Sequence, residues 1–448
     1  MHAETILKYN ARVPRYTSYP TAVQFRPEVG PECYAQWLAA IDDQSLSVYV
    51  HVPFCDSLCW YCGCNTKVVR RDSVHSRYVD ALEHEIRLVR QAMPYPGRIA
   101  YLHLGGGTPT AISPLLLQRI ITALENDFGF AGDAVRAIEI DPRGLSLEMA
   151  GALERLGMKR ASLGVQDLNA TVQQAINRVQ PWHQLCECVH LLRRHGIDDL
   201  NLDLMYGLPL QTAEHLLQTV HGALELAPER IALFGYAHVP WMKAHQRLID
   251  EANLPGPLAR LAMAEQAHDL LIASGYRAVG MDHFVRDGTP FAAALDAQRI
   301  RRNFQGYTDD QARVLLGFGA SAIGDLGVGM VQNESDIRAY ARSIADGGLA
   351  TARGVARDSD DRLRGAVIEA LMCRNIVEID SVCAQHGRPP ADLADALKAL
   401  RPFEDDGLIA RAGDRITVTE RGRPVVRAVC AAFDRYLAPE QTAHSAAV

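Results

Sequence analysis

The chain has 448 residues, 48% of them hydrophobic and 22% charged, a composition that fits two or three globular domains or one large α/β domain with appendages. A formal charge of -7 argues against nucleic-acid binding driven by overall charge, and no run of roughly 18 apolar residues is present to span a bilayer. The first twenty residues carry charges throughout and no apolar core, so a secretory signal is not expected, a cytoplasmic location is, and the thiols should be reduced.

In chain order, the N-terminal stretch 1–45 reads as an arm. Its segment "KYNARVPRYTSYPT" brings Arg12, Arg15, Tyr16 and Tyr19 together. From 46 to 330, short β-like runs alternate with longer helix-like ones. The runs are 47–54, 98–106, 137–142, 160–166, 201–209, 230–240 and 276–284. After the first, Tyr78, Leu82, Ile86, Val89 and Met93 recur every three or four residues, which places one apolar stripe on a helix. Similar stripes cover 115–124, 147–156, 183–194, 215–226 and 258–273. Strand and helix in alternation imply an α/β fold with parallel pairing, and six or seven repeats point to a (β/α) barrel, complete or open. Residues 331–358 read as a connector. Residues 359–448 then read as a small, mostly helical, winged-helix-like domain with one short strand in "DRITVT" and a helix from 420 to about 436. Such a domain often binds DNA, but packing over the barrel is the expectation here.

The unusual residues follow the strands, where a barrel gathers its chemistry. "YVHVPFCDSLCWYCGCN" (49–65) holds Cys55, Cys59 and Cys62 at C-x3-C-x2-C spacing, with Cys64 two residues on. Three functions suit such thiols. They can staple a loop, which a reducing compartment disfavours. They can bind zinc with a fourth ligand such as His51 or His103. They can hold a cluster that needs three thiolates and leaves one metal position open. Later strand ends offer Gly105, Gly106 and Gly107 for close backbone approach to a ligand, then Glu139, Asp141, Gln166, Asp203 and Ala237. Taken singly, each of these is as well explained by a turn, a helix cap or a solvated strand end. Arg178 could fork onto a carboxylate or form a surface ion pair.

C-x3-C-x2-C after a first strand, with a glycine-rich second strand end, resembles the radical S-adenosylmethionine (radical SAM) superfamily. The segments "RYTSYPT", the "CGC" ending, "HLGGGTPT", "IEIDPR", "SLGVQDLN", "YAHVP", "GMDHF" and "NFQGYT" extend the likeness over nearly the whole chain. Together they resemble the oxygen-independent coproporphyrinogen III oxidase (coproporphyrinogen dehydrogenase) family. The resemblance implies a radical SAM barrel, partial and six-stranded or slightly extended. It implies that Cys55, Cys59 and Cys62 ligate a [4Fe–4S] cluster, with Cys64 a packed thiol nearby. It implies two SAM molecules per chain, contacted by Tyr49, Tyr61, Gly106, Gly107, Thr108, Glu139, Gln166, Arg178, Asp203, Ala237 and Ile323. Tyr49 and the three cysteines are then the catalytic set.

The implied substrate is coproporphyrinogen III, two of whose propionates become vinyl groups in anaerobic haem biosynthesis. An electron donor and an acceptor are needed, and nucleic acid and membrane are not. A monomer is the default. The arm either folds over the substrate or simply packs on the barrel. Phe304 and Gln305 are further candidates for contact with the second SAM or the substrate. The residues depart from the family pattern at Tyr61, where Phe is common, at Met205, where Ile is common, and over 285–291. The alternatives are a haem chaperone or an anaerobic haem-degrading enzyme with the same barrel, and a zinc-stabilised DNA-binding regulator.

Overall fold

The computed structural model describes residues 3–10, 13–42 and 45–437. Arg12 and the last eleven residues therefore lie outside the described residues. Strands and helices alternate as expected: β1 (Ser45–Val52), α1 (Asp72–Ala92), β2 (Arg98–Gly106), α2 (Pro114–Asp127), β3 (Phe130–Ile140), α3 (Leu147–Arg155), β4 (Arg160–Gln166), α4 (Trp182–Arg194), β5 (Asp199–Tyr206), α5 (Ala213–Glu225), β6 (Arg230–Gly235) and α6 (Pro257–Ala273). Strands β1 to β6 pair in sequence order, all parallel.

The sheet extends past both ends of this set. Beyond β6 lie β8 (His283–Arg286) and then β7 (Tyr276–Val279), both antiparallel to their neighbours. Beyond β1 lies β9 (Val314–Phe318), parallel to it. Antiparallel β10 (Ile323–Asp325), β11 (Gly329–Asn333) and β12 (Thr351–Ala356) follow. The result is an open twelve-stranded sheet whose parallel centre has the expected barrel character.

Two expectations change. Residues 276–284 do not form one more parallel strand. Gly280, with φ +55°, lies in the turn between β7 and β8, and the two strands make a hairpin. The seventh parallel strand is β9, a five-residue run with no polar alternation, which periodicity cannot tell from a buried helix turn. The supposed connector at 331–358 carries sheet strands and a helix, Ile337–Ala345, that buries Tyr340 and Ile344.

Strand alternation sets what the barrel encloses. Val48, Val50 and Val52 point outward and are fully buried, in the same core as Tyr78, Val79, Leu82 and Ile86 of α1. Their alternates, Ser47, Tyr49 and His51, face inward. The interior is polar. At its base the Arg160 guanidinium donates to Asp309 with two bonds of 2.6 and 2.7 Å and to Asp199 at 2.5 Å. Asp309 lies just before β9, four strands away from β4 in the sheet order on the far side of β1. The contact is possible only because the sheet curls.

The C-terminal part begins with α7 (Ser359–Arg374). A capping box in which Asp358 and Asp361 serve each other's main-chain N–H groups opens this helix. A three-stranded antiparallel sheet, Ile376–Glu378, Arg415–Val418 and Ile409–Ala412, forms the wing. The helix expected over 420–436 is shorter, a single 3-10 turn followed by Val426–Ala431. The arm is part of this domain's core. Tyr9 stacks on Phe403 at 4.4 Å, and Tyr16 and Tyr19 are buried in the same cluster as Leu363, Leu371 and Phe433.

Gly280 offers a direct test of the hairpin. A Cβ there would lie 2.0 Å from the Tyr307 ring, whose hydroxyl donates to the Met372 carbonyl of α7 at 2.8 Å. Gly280→Ala is expected to cost about 2–4 kcal/mol in denaturant unfolding, from left-handed strain plus overpacking. An unchanged midpoint would mean the turn is not built this way.

Candidate active site

The cysteine loop leaves the tip of β1 and is held by its main chain. Phe54–Cys55 pairs with Lys67–Val68, closing the base of the loop. The Ile176 carbonyl accepts from Trp60 N–H at 3.0 Å, and Asn177 donates to the Leu58 carbonyl at 2.8 Å. From beyond β6, His245 Nε2 donates to the Cys62 carbonyl at 2.7 Å and Gln246 Nε2 to the Tyr61 carbonyl at 2.9 Å. Three barrel tips thus fix a loop that has almost no regular structure of its own.

The thiols are free and differ in setting. Burial pushes the Cys55 thiol up, opposed by bonds with the Thr66 and Thr108 hydroxyls at 3.1 and 3.5 Å. Cys62 is pushed down to about 6, chiefly by the Cys64 side chain and also by the Cys64 N–H at 3.4 Å. Cys64 was expected to be packed; the residue is exposed, and its thiol bonds Cys62. Cys59 is buried and accepts from Arg178 Nη1 at 3.4 Å and Arg143 Nη2 at 3.6 Å. Both arginines also hold Asp141, at 3.0 and 2.6 Å. Burial alone would raise the Asp141 carboxyl, but the two guanidinium groups bring it to about 2. Arg178 is therefore no surface ion pair: it is buried, and its other terminal nitrogen donates to the Gly164 carbonyl at 2.5 Å.

The neighbouring strand tips form a second polar layer. Tyr49 donates to His51 Nδ1 at 3.0 Å, while His51 Nε2 donates to the Asn65 carbonyl at 2.8 Å, which defines the tautomer. Glu139 accepts from His103 Nε2 at 3.1 Å and from Gly106 N–H at 3.0 Å. These bonds outweigh burial and leave its carboxyl below the ordinary value. Asp203 differs. Burial and then the Glu139 charge raise it to about 7, although Ser162 and Asn201 donate to its two oxygens at 3.0 and 2.7 Å.

The glycines are explained first by protein contacts. A Cβ at Gly105 would meet the Glu139 carboxylate, one at Gly106 the His51 ring, and one at Gly107 the Phe54 carbonyl at 2.5 Å. Gln166 ends β4 at φ +67° and is buried. Tyr61 packs beside Val172, Ile176 and Tyr236, and the Ala237 carbonyl shares Gln246 with the Tyr61 carbonyl. Ile323 is half-buried on β10; its carbonyl lies 2.5 Å from where Gly317, the register partner of Tyr49, would carry a Cβ. Phe304 and Gln305 stand at the turn of a small hairpin, Arg301–Asn303 with Gly306–Thr308.

Residues 49–222 match the family model of the radical SAM superfamily, and 358–425 match that of the HemN C-terminal domain. The chain is 45% identical over 100% of both chains to the oxygen-independent coproporphyrinogen III oxidase of Bradyrhizobium diazoefficiens. It belongs to the oxygen-independent coproporphyrinogen III oxidase family. The Escherichia coli member is 40% identical over 96% of this chain and 94% of its own. A solved structure of coproporphyrinogen III oxidase from Escherichia coli, described as a radical SAM enzyme, superposes with a TM-score of 0.91 at 37% identity, covering 95% of this chain and 100% of the other.

Radical SAM proteins of this family work with a [4Fe–4S] cluster and SAM, and the residues present fit both. Among the described residues no three His, Cys, Asp or Glu side chains converge on one ion-sized point. Ligands to a cluster bind different irons and have no need to. The buried Nε of Arg178 and Oε1 of Gln166 have no protein partner, so this oxidase-family site keeps donor and acceptor capacity at the strand tips for a bound molecule. Arg143, Thr66, Ser162, Asn201 and Gln246 were not singled out by sequence. Arg143 had a visible signal, the Asp-Pro-Arg at a strand tip; the others did not.

Asp203 makes a pH dependence. Its folded carboxyl keeps a proton to about 7, against 3.8 for the ordinary group. The folded state binds more protons between those values, so this group's contribution to stability falls as pH rises through them. Asp203→Asn should flatten part of the decline in urea midpoint between about pH 4 and pH 7. An identical decline in the variant would show that Asp203 does not hold that proton.

Proposed function

We propose that this protein converts coproporphyrinogen III to protoporphyrinogen IX in anaerobic haem biosynthesis, with two SAM molecules per chain. The observation that carries the reading is the seat of the cysteine loop. Three free thiols sit at the tips of parallel strands, one of them against two guanidinium groups. Full-length kinship to coproporphyrinogen III oxidases supports the substrate.

In this reading Cys55, Cys59 and Cys62 hold the [4Fe–4S] cluster. Tyr49, Tyr61, Gly106, Gly107, Thr108, Glu139, Gln166, Arg178, Asp203, Ala237 and Ile323 divide between the two SAM sites. With SAM bound, the cluster supplies a 5′-deoxyadenosyl radical by reductive cleavage. The chain's own residues do the rest. Arg178 and Arg143 place positive charge against the Cys59 sulfur and fix its direction. Glu139, kept ionised by His103 and Gly106 N–H, accepts hydrogen bonds from hydroxyl or ammonium groups. Asp203, protonated up to about 7, donates one instead. The apolar wall around Tyr61 excludes water from a reactive site. Each propionate loses one hydrogen atom from its β-carbon, CO2 and one electron, which goes to an external acceptor, and a vinyl group remains. No helix among the described residues is long and apolar enough to cross a membrane. A cytoplasmic monomer needing an external electron donor is the proposed working state.

The test is reconstitution with iron and sulfide without oxygen, then assay with SAM, a reductant and coproporphyrinogen III. The wild type should form product, and Cys59→Ala should lose both the cluster absorption and the product. Normal turnover in Cys59→Ala refutes the ligand assignment. Tight haem capture without turnover of coproporphyrinogen favours a haem chaperone instead.

A further inference from the structure

A cavity of about 1130 Å³ lies beyond the tips of β5 and β6. It is larger than the ~300–1,000 Å³ of most small-molecule sites. Its walls come from three parts of the chain: the arm, the barrel with α6, and the C-terminal domain at 420–427. Each part contributes an arginine, namely Arg15, Arg260 and Arg427.

Their hydrogen bonds bring the three parts together. Arg15 Nη2 donates to the Gly235 carbonyl at 2.9 Å, Arg260 Nη1 to the Tyr236 carbonyl at 2.9 Å, and Arg427 Nη1 to the Val13 carbonyl at 3.3 Å. These bonds go to main-chain carbonyls, which carry no charge. Among the described residues no carboxylate forms an ion pair with Arg15 or Arg260 within 4.0 Å. The positive charges feel one another: burial, then Arg15, lowers Arg260, and the same two causes in the same order bring Arg427 down to about 10. Four acids also line the cavity: Asp282 is engaged with His283 Nδ1 at 2.7 Å, Asp269 with His268 at 3.3 Å and Glu420 with Arg423 at 3.6 Å, while Glu265 stands on α6. Like charges gathered in a roomy cavity form a site for anionic oxygen.

The near wall of the cavity is also the back of the radical site. Ala237 lines it, and Gln246 ties the Ala237 carbonyl to Tyr61 of the cysteine loop. We propose that Arg15, Arg260 and Arg427 bind the propionate carboxylates of the tetrapyrrole that are not decarboxylated, leaving the reacting pair to face the strand tips. This rests on the substrate reading above. It makes the arm and the C-terminal domain parts of the binding site and assigns them a specificity role: a tetracarboxylate is held and a ring lacking these carboxylates is not.

The test is equilibrium binding of coproporphyrin III, the stable oxidised tetracarboxylate, to anaerobically reconstituted full-length protein, followed by fluorescence. Arg260→Gln should bind it roughly tenfold or more weakly, with Arg260→Lys intermediate, as expected for loss of charge-assisted bonds. The cluster spectrum should stay as in the wild type, and KM for coproporphyrinogen III should rise more than kcat falls. Arg427→Gln should behave alike. If wild type converts coproporphyrinogen III and Arg260→Gln and Arg427→Gln bind coproporphyrin III as tightly as it does, this assignment is overturned while the function stands. If well-reconstituted wild type neither binds nor converts the tetrapyrrole, the function reading fails and takes this one with it.

Discussion

A buried guanidinium ties the two flanks of the curled sheet together. Arg160 sits at the start of β4 and takes both oxygens of Asp309 together with one of Asp199. Asp309 belongs to the segment that leads into β9, on the opposite flank of the barrel. Its carboxyl is held ionised against the burial penalty by that same arginine. A buried ion pair is a poor source of net stability, because desolvation offsets most of the attraction. What it does supply is geometry: it is satisfied only when the sheet bends far enough for the two flanks to meet. Removing either partner would leave a charge stranded inside the barrel. The base is thus fixed by charge, and the opposite ends of the strands converge as a consequence.

That convergence explains how a loop with little regular structure becomes a precise site. The cysteine loop is gripped by carbonyl-directed bonds from the helix after β4 and from the segment after β6. Those segments are far apart in sequence and adjacent only at the barrel mouth. Asp141 then sets the charge arrangement. It draws Arg143 and Arg178 to one place, and both reach Cys59 from there. Two guanidinium groups thus stand against the Cys59 sulfur. The glycines of β2 serve the same packing. They admit Glu139, His51 and Phe54 against the strand, so the second polar layer can approach the first.

The arm and the C-terminal domain extend this logic outward. The buried tyrosines of the arm complete the apolar core of the C-terminal domain, and Lys8 adds an ion pair to Asp406 at 2.7 Å. An exposed pair of this kind contributes little; the buried rings are what hold the arm in place. The winged shape, which many DNA-binding domains share, is used here as a wall against the barrel. Its arginines at 423 and 427 line a cavity shared with α6.

Much of this was legible in the amino-acid order. Strands 98–106 and 160–166 were read with their true ends, because charged or turn residues bracket alternating apolar runs. The apolar stripe of α1 was visible for the same reason. The three-cysteine spacing and the glycine run marked segments that the structure places together at the strand tips, since sequence-local motifs carry their own geometry. The fold of 276–284 and the strand at 314–318 were not legible. A left-handed glycine reverses the first, and the second is a short apolar run whose partner, β1, lies some 260 residues earlier. Tertiary structure alone determined which polar residues share the interior. Arg160 meets Asp309, Ser162 meets Asp203, and Arg15, Arg260 and Arg427 line one cavity because a curled sheet and a docked arm bring distant segments together. No local pattern encodes a distance across a barrel.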